Sequence, residues 1–314
     1  MILAPMQGLT EVLFRRTYEE CFPGAIGLSV APFISLTRNL QYARGACMAE
    51  QMKDVLPESN VGSIPVVPQI LGKEPEEFVA LGNRLYDMGY EEVNWNIGCP
   101  MRAITAKHRG SGILPYPDEV RGVLEKVVPQ LKGRLSVKMR IGLKEKSEIF
   151  AMVPVLNDFP LASVTIHPRL GRQQYGGVPD LETFGEVLPL LRHRVIYNGD
   201  ICTAADEARI RGRFPQVADI MVGRGVLYRP TLPLEVAGRL LDDKERRMLS
   251  RRFIRRLMEA VREGYVKEES ALHKTKEYWC LLWRVLDISE MEARRVLREK
   301  ELTIVDKMIW ELTQ

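Results

Sequence analysis

The 314-residue chain is 46% hydrophobic with a formal charge of only +4, enough apolar material for a large core and too little charge to announce a nucleic-acid partner by itself. No run approaches the roughly 20 apolar residues of a membrane helix, and the start lacks the basic and apolar regions of a leader, so a cytoplasmic protein without membrane attachment is expected. The five cysteines (Cys21, Cys47, Cys99, Cys202 and Cys280) form no CxxC pair and do not cluster with the four histidines, which fits a reducing compartment and speaks against a metal site.

In chain order, Ile2–Ala4 reads as a short strand, Pro5-Met6-Gln7-Gly8 as a turn, and Thr10 as the N-cap of a helix. A second strand follows at Ala25–Val30. Val66–Leu71 forms the third, ended by Gly72. The helix after it runs from Glu74 to about Met88, with Phe78, Leu81, Leu85 and Met88 on one apolar stripe. The fourth strand carries Val93, Trp95 and Ile97 and stops abruptly in Gly98-Cys99-Pro100. Leu135–Gly142, Ser163–His167, Val195–Asp200 and Asp219–Gly225 supply the fifth to eighth.

Eight strand–helix units with strands that read as fully buried predict a parallel (β/α)8 barrel, a TIM barrel, over residues 1–240. An open doubly wound sheet is the rival, but no Gly-x-Gly-x-x-Gly follows the first strand, and polar residues end nearly every strand. From about Leu241 the strand signal stops, and Leu, Met, Trp and Val recur at helical spacing. Residues 241–314 therefore read as a smaller all-helical C-terminal domain.

Three features of the barrel and one of the tail carry chemistry. A strand that turns sharply to present a thiol is how barrel enzymes aim a reactive side chain, although a small buried cysteine is the competing reading of Cys99. The glycine-bearing turns Asn198-Gly199-Asp200 and Gly223-Arg224-Gly225 follow the last two strands, where barrels commonly bind phosphate, or they are merely tight connections. Lys138, inside the apolar run Val137-Lys138-Met139, would point into the barrel mouth and need an anionic partner there. The electron-rich edge of a reduced flavin would serve, with Gln69 at the pyrimidine edge and His167 beside the ring or phosphate. A Schiff-base lysine acting on a phosphorylated metabolite and a snorkelling structural lysine are the alternatives. In the tail, Arg246, Arg247, Arg251, Arg252, Arg255 and Arg256 make a face able to lie along a phosphate backbone, or a solvated helix surface.

The ordered motifs, namely Ala-Pro-Met at residues 4–6, Pro68-Gln69-Ile70-Leu71-Gly72, Asn96-x-Gly98-Cys99-Pro100, Val137-Lys138-Met139-Arg140, His167-x-Arg169, Asn198-Gly199-Asp200, Gly223-Arg224-Gly225 and Leu272-His273-Lys274-x-Lys276-x-Tyr278-Trp279, resemble those of the bacterial tRNA-dihydrouridine synthases, nearest to the C-type branch. The resemblance implies FMN in the barrel, NADPH as reductant, tRNA as partner, no metal, a monomer, and reduction of the C5=C6 bond of a D-loop uridine. Position 16 is favoured and position 20 is the alternative.

Carried over by residue, Pro5, Met6 and Gln7 line the flavin, Gln69 and Lys138 bond its ring, and His167 sits beside it. Asn198, Gly199, Asp200, Gly223 and Arg224 hold its phosphate. Cys99 is the catalytic general acid. Asn96 seats the uracil, and Arg140, Lys107, Arg109, Arg169, Arg251, Arg252, Arg255, Lys274 and Lys276 face the RNA. Two departures stand out: His167-Pro168-Arg169-Leu170 replaces a His-Gly-Arg-Thr run, and Lys107–Gly112 has fewer glycines than relatives do. Trp95, Trp279 and Trp283 read as core. A catalytically silent RNA-binding barrel is the remaining alternative.

Overall fold

The computed structural model describes residues 1–36 and 51–314, so Cys47 lies outside the described residues. Among the described residues ten strands form one all-parallel sheet: β1 (Ile2–Leu3), β2 (Leu28–Val30), β3 (Ile34–Ser35), β4 (Val66–Val67), β5 (Gln69–Leu71), β6 (Glu92–Ile97), β7 (Arg134–Gly142), β8 (Val164–Leu170), β9 (Val195–Asn198) and β10 (Asp219–Val222). β4 and β5 are one pass interrupted at Pro68, which has no N–H for the ladder, and β2 and β3 are one pass interrupted around Pro32. Because β2 pairs with both β1 and β4, β3 pairs with β5, and β10 pairs with β1, the eight passes close into the predicted barrel.

Local differences have local causes. The helix expected to start at Thr10 runs Val12–Cys21, with Glu11 at the cap position. The Thr10 hydroxyl is already engaged: it accepts the Met6 N–H at 2.8 Å and donates to the Ala4 carbonyl at 2.9 Å. The second strand begins three residues late, at Leu28. The helix expected over 74–88 spans Pro75–Asp87 and buries Phe78, Leu81 and Leu85.

The barrel interior is layered. At its base Ile2, Val30, Val67, Ile196 and Met221 form a small apolar cluster. Beside it lies an amide network: Gln69 Nε2 donates to Asn94 Oδ1 at 2.7 Å, and Asn94 Nδ2 donates to Ser136 Oγ at 2.9 Å. The strand ends above that network open into a cavity.

The tail contains helices Asp243–Gly264, Glu268–Leu282, Glu290–Arg298 and Leu302–Leu312. The first lies along helix Val12–Cys21, with Phe253 edge-on to Phe14 at 5.7 Å, and Tyr278 stacks on Phe14 at 6.1 Å. The apolar side chains of barrel and tail join in one cluster. Trp95 and Trp279 are fully buried, each with its indole N–H on a backbone carbonyl. Arg256 meets Glu20 at the end of helix Val12–Cys21, while Gly264 sits against Leu13 near its start. The two helices are thus antiparallel, and Arg252 lies about 18 Å along its helix from Gly264, away from the strand ends that hold the cavity. Among the described residues no helix is long and apolar enough to cross a membrane.

Candidate active site

A cavity of about 480 Å³ occupies the C-terminal mouth of the barrel. Its lining draws on the ends of seven of the eight passes and includes Pro5, Met6, Gln7, Asn96, Cys99, Lys138, Arg140, His167, Arg169, Asn198, Gly199, Asp200, Gly223 and Arg224. Most of the residues predicted from separate motifs therefore meet in one place.

The cysteine is aimed by its own turn. Asn96 Oδ1 accepts the backbone N–H groups of Gly98 at 3.0 Å and Cys99 at 2.9 Å, folding the chain back after β6. The Cys99 carbonyl accepts the Ser111 N–H and hydroxyl at 2.9 and 3.1 Å. Gly110 adopts φ +55°, and a Cβ there would lie 2.6 Å from that carbonyl. Burial pushes the Cys99 thiol above its ordinary value, against the Met101 N–H and the nearby Arg140 and Lys138 cations, so it is a protonated thiol at neutral pH.

Four cations (Lys138, Arg140, Arg169 and Arg224) and one carboxylate (Asp200) line the cavity, leaving it positive. Arg140 donates to the Gly98 carbonyl at 3.1 Å and the Leu170 carbonyl at 2.9 Å, and burial lowers it to about 10. Arg169, fully buried, binds Asp200 through both terminal nitrogens (2.9 and 2.5 Å) and the carbonyls of Gly176 and Gly177. It also donates to His167 Nε2 at 3.2 Å. That contact puts the His167 proton on Nδ1, and burial among four cations holds this histidine neutral, well below its ordinary value. Arg224 reaches Asp200 at 3.0 Å. Lys138 has no hydrogen-bond or ion-pair partner among the described residues, and burial, then Arg140, pulls it down to about 7.

The geometry redistributes several expected roles. Gln69 is wholly buried beneath the cavity, its amide bonded to Asn94 and to Asn96 Nδ2 at 2.8 Å, so it supports Asn96. Arg109 pairs with Glu74 at 2.5 Å and the Leu36 carbonyl at 3.2 Å, bracing the loop instead of facing solvent. Lys107 is exposed without a partner among the described residues. In the tail, Arg251 donates to the Gln314 carbonyl at 3.0 Å, Arg255 holds Thr313 and stacks over Trp310, and Lys276 holds the Glu299 carbonyl. Lys274 reaches the Gly8 carbonyl at 2.7 Å. Of Arg251, Arg252 and Arg255, only Arg252 lacks a partner among the described residues, and none of the three lines the cavity. Tyr175 was not foreseen. It is half exposed on the loop after β8, with the Arg140 and Arg224 guanidinium groups 5.7 and 5.0 Å from its ring centre. Its only sequence cue is its place beside Gly176-Gly177 in a strand-end loop.

The family model described as dihydrouridine synthase matches residues 2–309. The chain belongs to the dihydrouridine synthase family. The motif resemblance and the oxidoreductase reading are thereby met. A tRNA-dihydrouridine synthase B from Pasteurella multocida is 29% identical over 233 residues, covering 74% of this chain and 67% of that protein. A tRNA-dihydrouridine(16) synthase from Ralstonia nicotianae is 26% identical over 247 residues, covering 76% and 73%. Among solved structures, an old yellow enzyme homologue from Zymomonas mobilis has a TM-score of 0.55 at 11% identity, covering 77% of this chain and 90% of that one. That likeness concerns the barrel fold alone.

Proposed function

We propose that the chain reduces the C5=C6 bond of a D-loop uridine in tRNA, using FMN and NADPH, with Cys99 as proton donor. The observation that carries this reading is a protonated Cys99 thiol lining a positive cavity in which Lys138 has no partner among the described residues.

The residues fit FMN. The backbone N–H groups of Gly199, Asp200, Gly223 and Arg224 have no acceptor among the described residues, which makes a cradle for a phosphate beside the Arg224 guanidinium. Asn198 donates its amide to the Met221 carbonyl at 2.9 Å and shapes that cradle rather than filling it. The Asp200 carboxylate orients Arg169 and Arg224, so its contribution to an anion is its amide. Lys138 would meet the electron-rich edge of the ring, Pro5, Met6 and Gln7 would line it, and neutral His167 adds no charge.

When bound, reduced FMN supplies the hydride for C6 of the uracil. Cys99 delivers the proton to C5, which lets the charge left on the base collapse to product. The Met101 N–H and the Arg140 cation stabilise the resulting thiolate. Asn96 holds the turn that aims the thiol. A uridine in folded tRNA must be extruded to reach the site, and exposed Tyr175 and Met101 offer apolar surface at the rim to receive it. Residues 241–314 are the RNA-gripping part of the chain in this reading, with Arg247 and Arg252 as the cations open to phosphate.

Purified protein should show a flavin spectrum, and tRNA from a strain lacking this chain should lose dihydrouridine at one D-loop position, with position 16 examined first. Colourless protein that cannot be reconstituted with FMN would overturn the reading. Lys138, lowered to about 7, also suits a Schiff-base lyase. Borohydride trapping of a carbonyl substrate on Lys138 in flavin-free protein would favour that alternative.

A further inference from the structure

Lys274 comes from the tail, yet it reaches into the barrel's first loop. Its ammonium donates to the Gly8 carbonyl at 2.7 Å and lies 3.1 Å from Glu11 and 2.9 Å from Glu277, with the side chain only 11% exposed. Among the described residues no other group donates to that carbonyl. Gly8 has φ +79°, and a Cβ there would sit 2.2 Å from Glu277 Oε1, so the tail helix is pressed directly onto this turn. Tyr278, one helical turn beyond Lys274, donates its hydroxyl to the Leu9 carbonyl at 3.1 Å. Burial works against the Lys274 charge, but the Glu11 and Glu277 carboxylates outweigh it and raise its pKa, so the ammonium persists.

The turn it grips continues directly from the cavity wall formed by Pro5, Met6 and Gln7. From within the barrel that wall is held by Thr10. From outside, Lys274 is its clamp. The same helix, Glu268–Leu282, also packs against helix Arg224–Tyr228, which opens at the Gly223 turn, and β10 lies beside β1 in the barrel. One tail helix therefore braces the two adjacent loops that border the proposed cofactor site.

We propose that Lys274 is a positioning residue that sets the backbone of Pro5–Gly8, so that the seating of the tail fixes the cofactor wall. The link to a flavin rests on the reading above, whereas the conformation of the turn does not. The test uses the full chain as Lys274→Met, Lys274→Arg and Glu11→Gln, with folding checked by circular dichroism. In ligand-free protein, hydrogen exchange of the peptide spanning Met6–Thr10 should quicken about tenfold in Lys274→Met, the loss expected for one charge-assisted hydrogen bond, and return toward wild type in Lys274→Arg. FMN affinity should fall about tenfold with a shifted visible spectrum, while tRNA affinity at saturating FMN stays unchanged. Glu11→Gln, which leaves the Gly8 contact, should give a smaller change of the same kind and serves if Lys274→Met does not fold.

Wild-type exchange and FMN affinity in Lys274→Met would overturn the proposal. So would weakened tRNA binding with FMN affinity intact, which would make Lys274 an RNA contact. If wild-type protein takes up no FMN, the cofactor reading fails, and the exchange result alone decides the role of Lys274.

Discussion

Asn96 offers the sharpest test of how the thiol is aimed. Replacing it with Ala removes the acceptor shared by the Gly98 and Cys99 amides and the donor held by Gln69. At about 1 kcal/mol for each of these three hydrogen bonds, unfolding in denaturant should come about 3 kcal/mol easier. The effect on chemistry is larger in proportion, because the turn opens and the thiol shifts. A displacement of about 1 Å at a reacting group costs about a hundredfold in rate, and that loss is expected in single-turnover dihydrouridine formation with FMN and tRNA saturating. FMN should still bind, since Asn96 does not border the phosphate cradle. Asn96→Asp keeps the acceptor and should recover most of the rate. It recovers less of the stability, because it loses the donor to Gln69 and adds a buried charge. A rate within about threefold of wild type in Asn96→Ala would refute the claim that this side chain positions the cysteine.

Cys99 is held protonated by burial above its ordinary 9.0, so its contribution to stability is complete below pH 9 and fades as pH rises through the folded value. Proton delivery and resistance to iodoacetamide should both hold to about pH 9, and Cys99→Ala should keep the flavin and its reduction by NADPH while losing nearly all product. Lys138 has the opposite sign. Lowered to about 7 from 10.5, it binds its proton more tightly in the unfolded chain, so ligand-free stability should rise between those pH values and the rise should flatten in Lys138→Met. Thermal melts across that range check this, and the same variant should lose FMN affinity. In the tail, Arg247→Ala with Arg252→Ala should weaken tRNA binding and reduce the salt slope by about 2, whereas Arg255→Ala should leave the slope alone and cost about 1 kcal/mol through its lost Thr313 contacts. An unchanged slope in the first pair would move the RNA surface elsewhere.

The sequence by itself determined the barrel, because strand periodicity, glycine breaks and prolines act within a few residues of where they stand. Pro68 interrupts its strand wherever that strand lies, and Gly98-Cys99-Pro100 ends β6 in a turn whatever packs above it. Most cavity residues were legible for the same reason: a polar residue at the C-terminal end of a parallel strand has one place to go. What only the tertiary structure decided was the partner of each long polar side chain. Gln69 stands at a strand end like the others, but an amide neighbour 25 residues away claims it from below. Arg109 turns to Glu74 across 35 residues, and Lys274 crosses 266 to reach Gly8. Lysine and arginine heads ride on long flexible stems and accept any nearby oxygen, so their local pattern says that a cation is present and not what it holds. That choice waits for the packing that brings one carbonyl or carboxylate, among many, within reach.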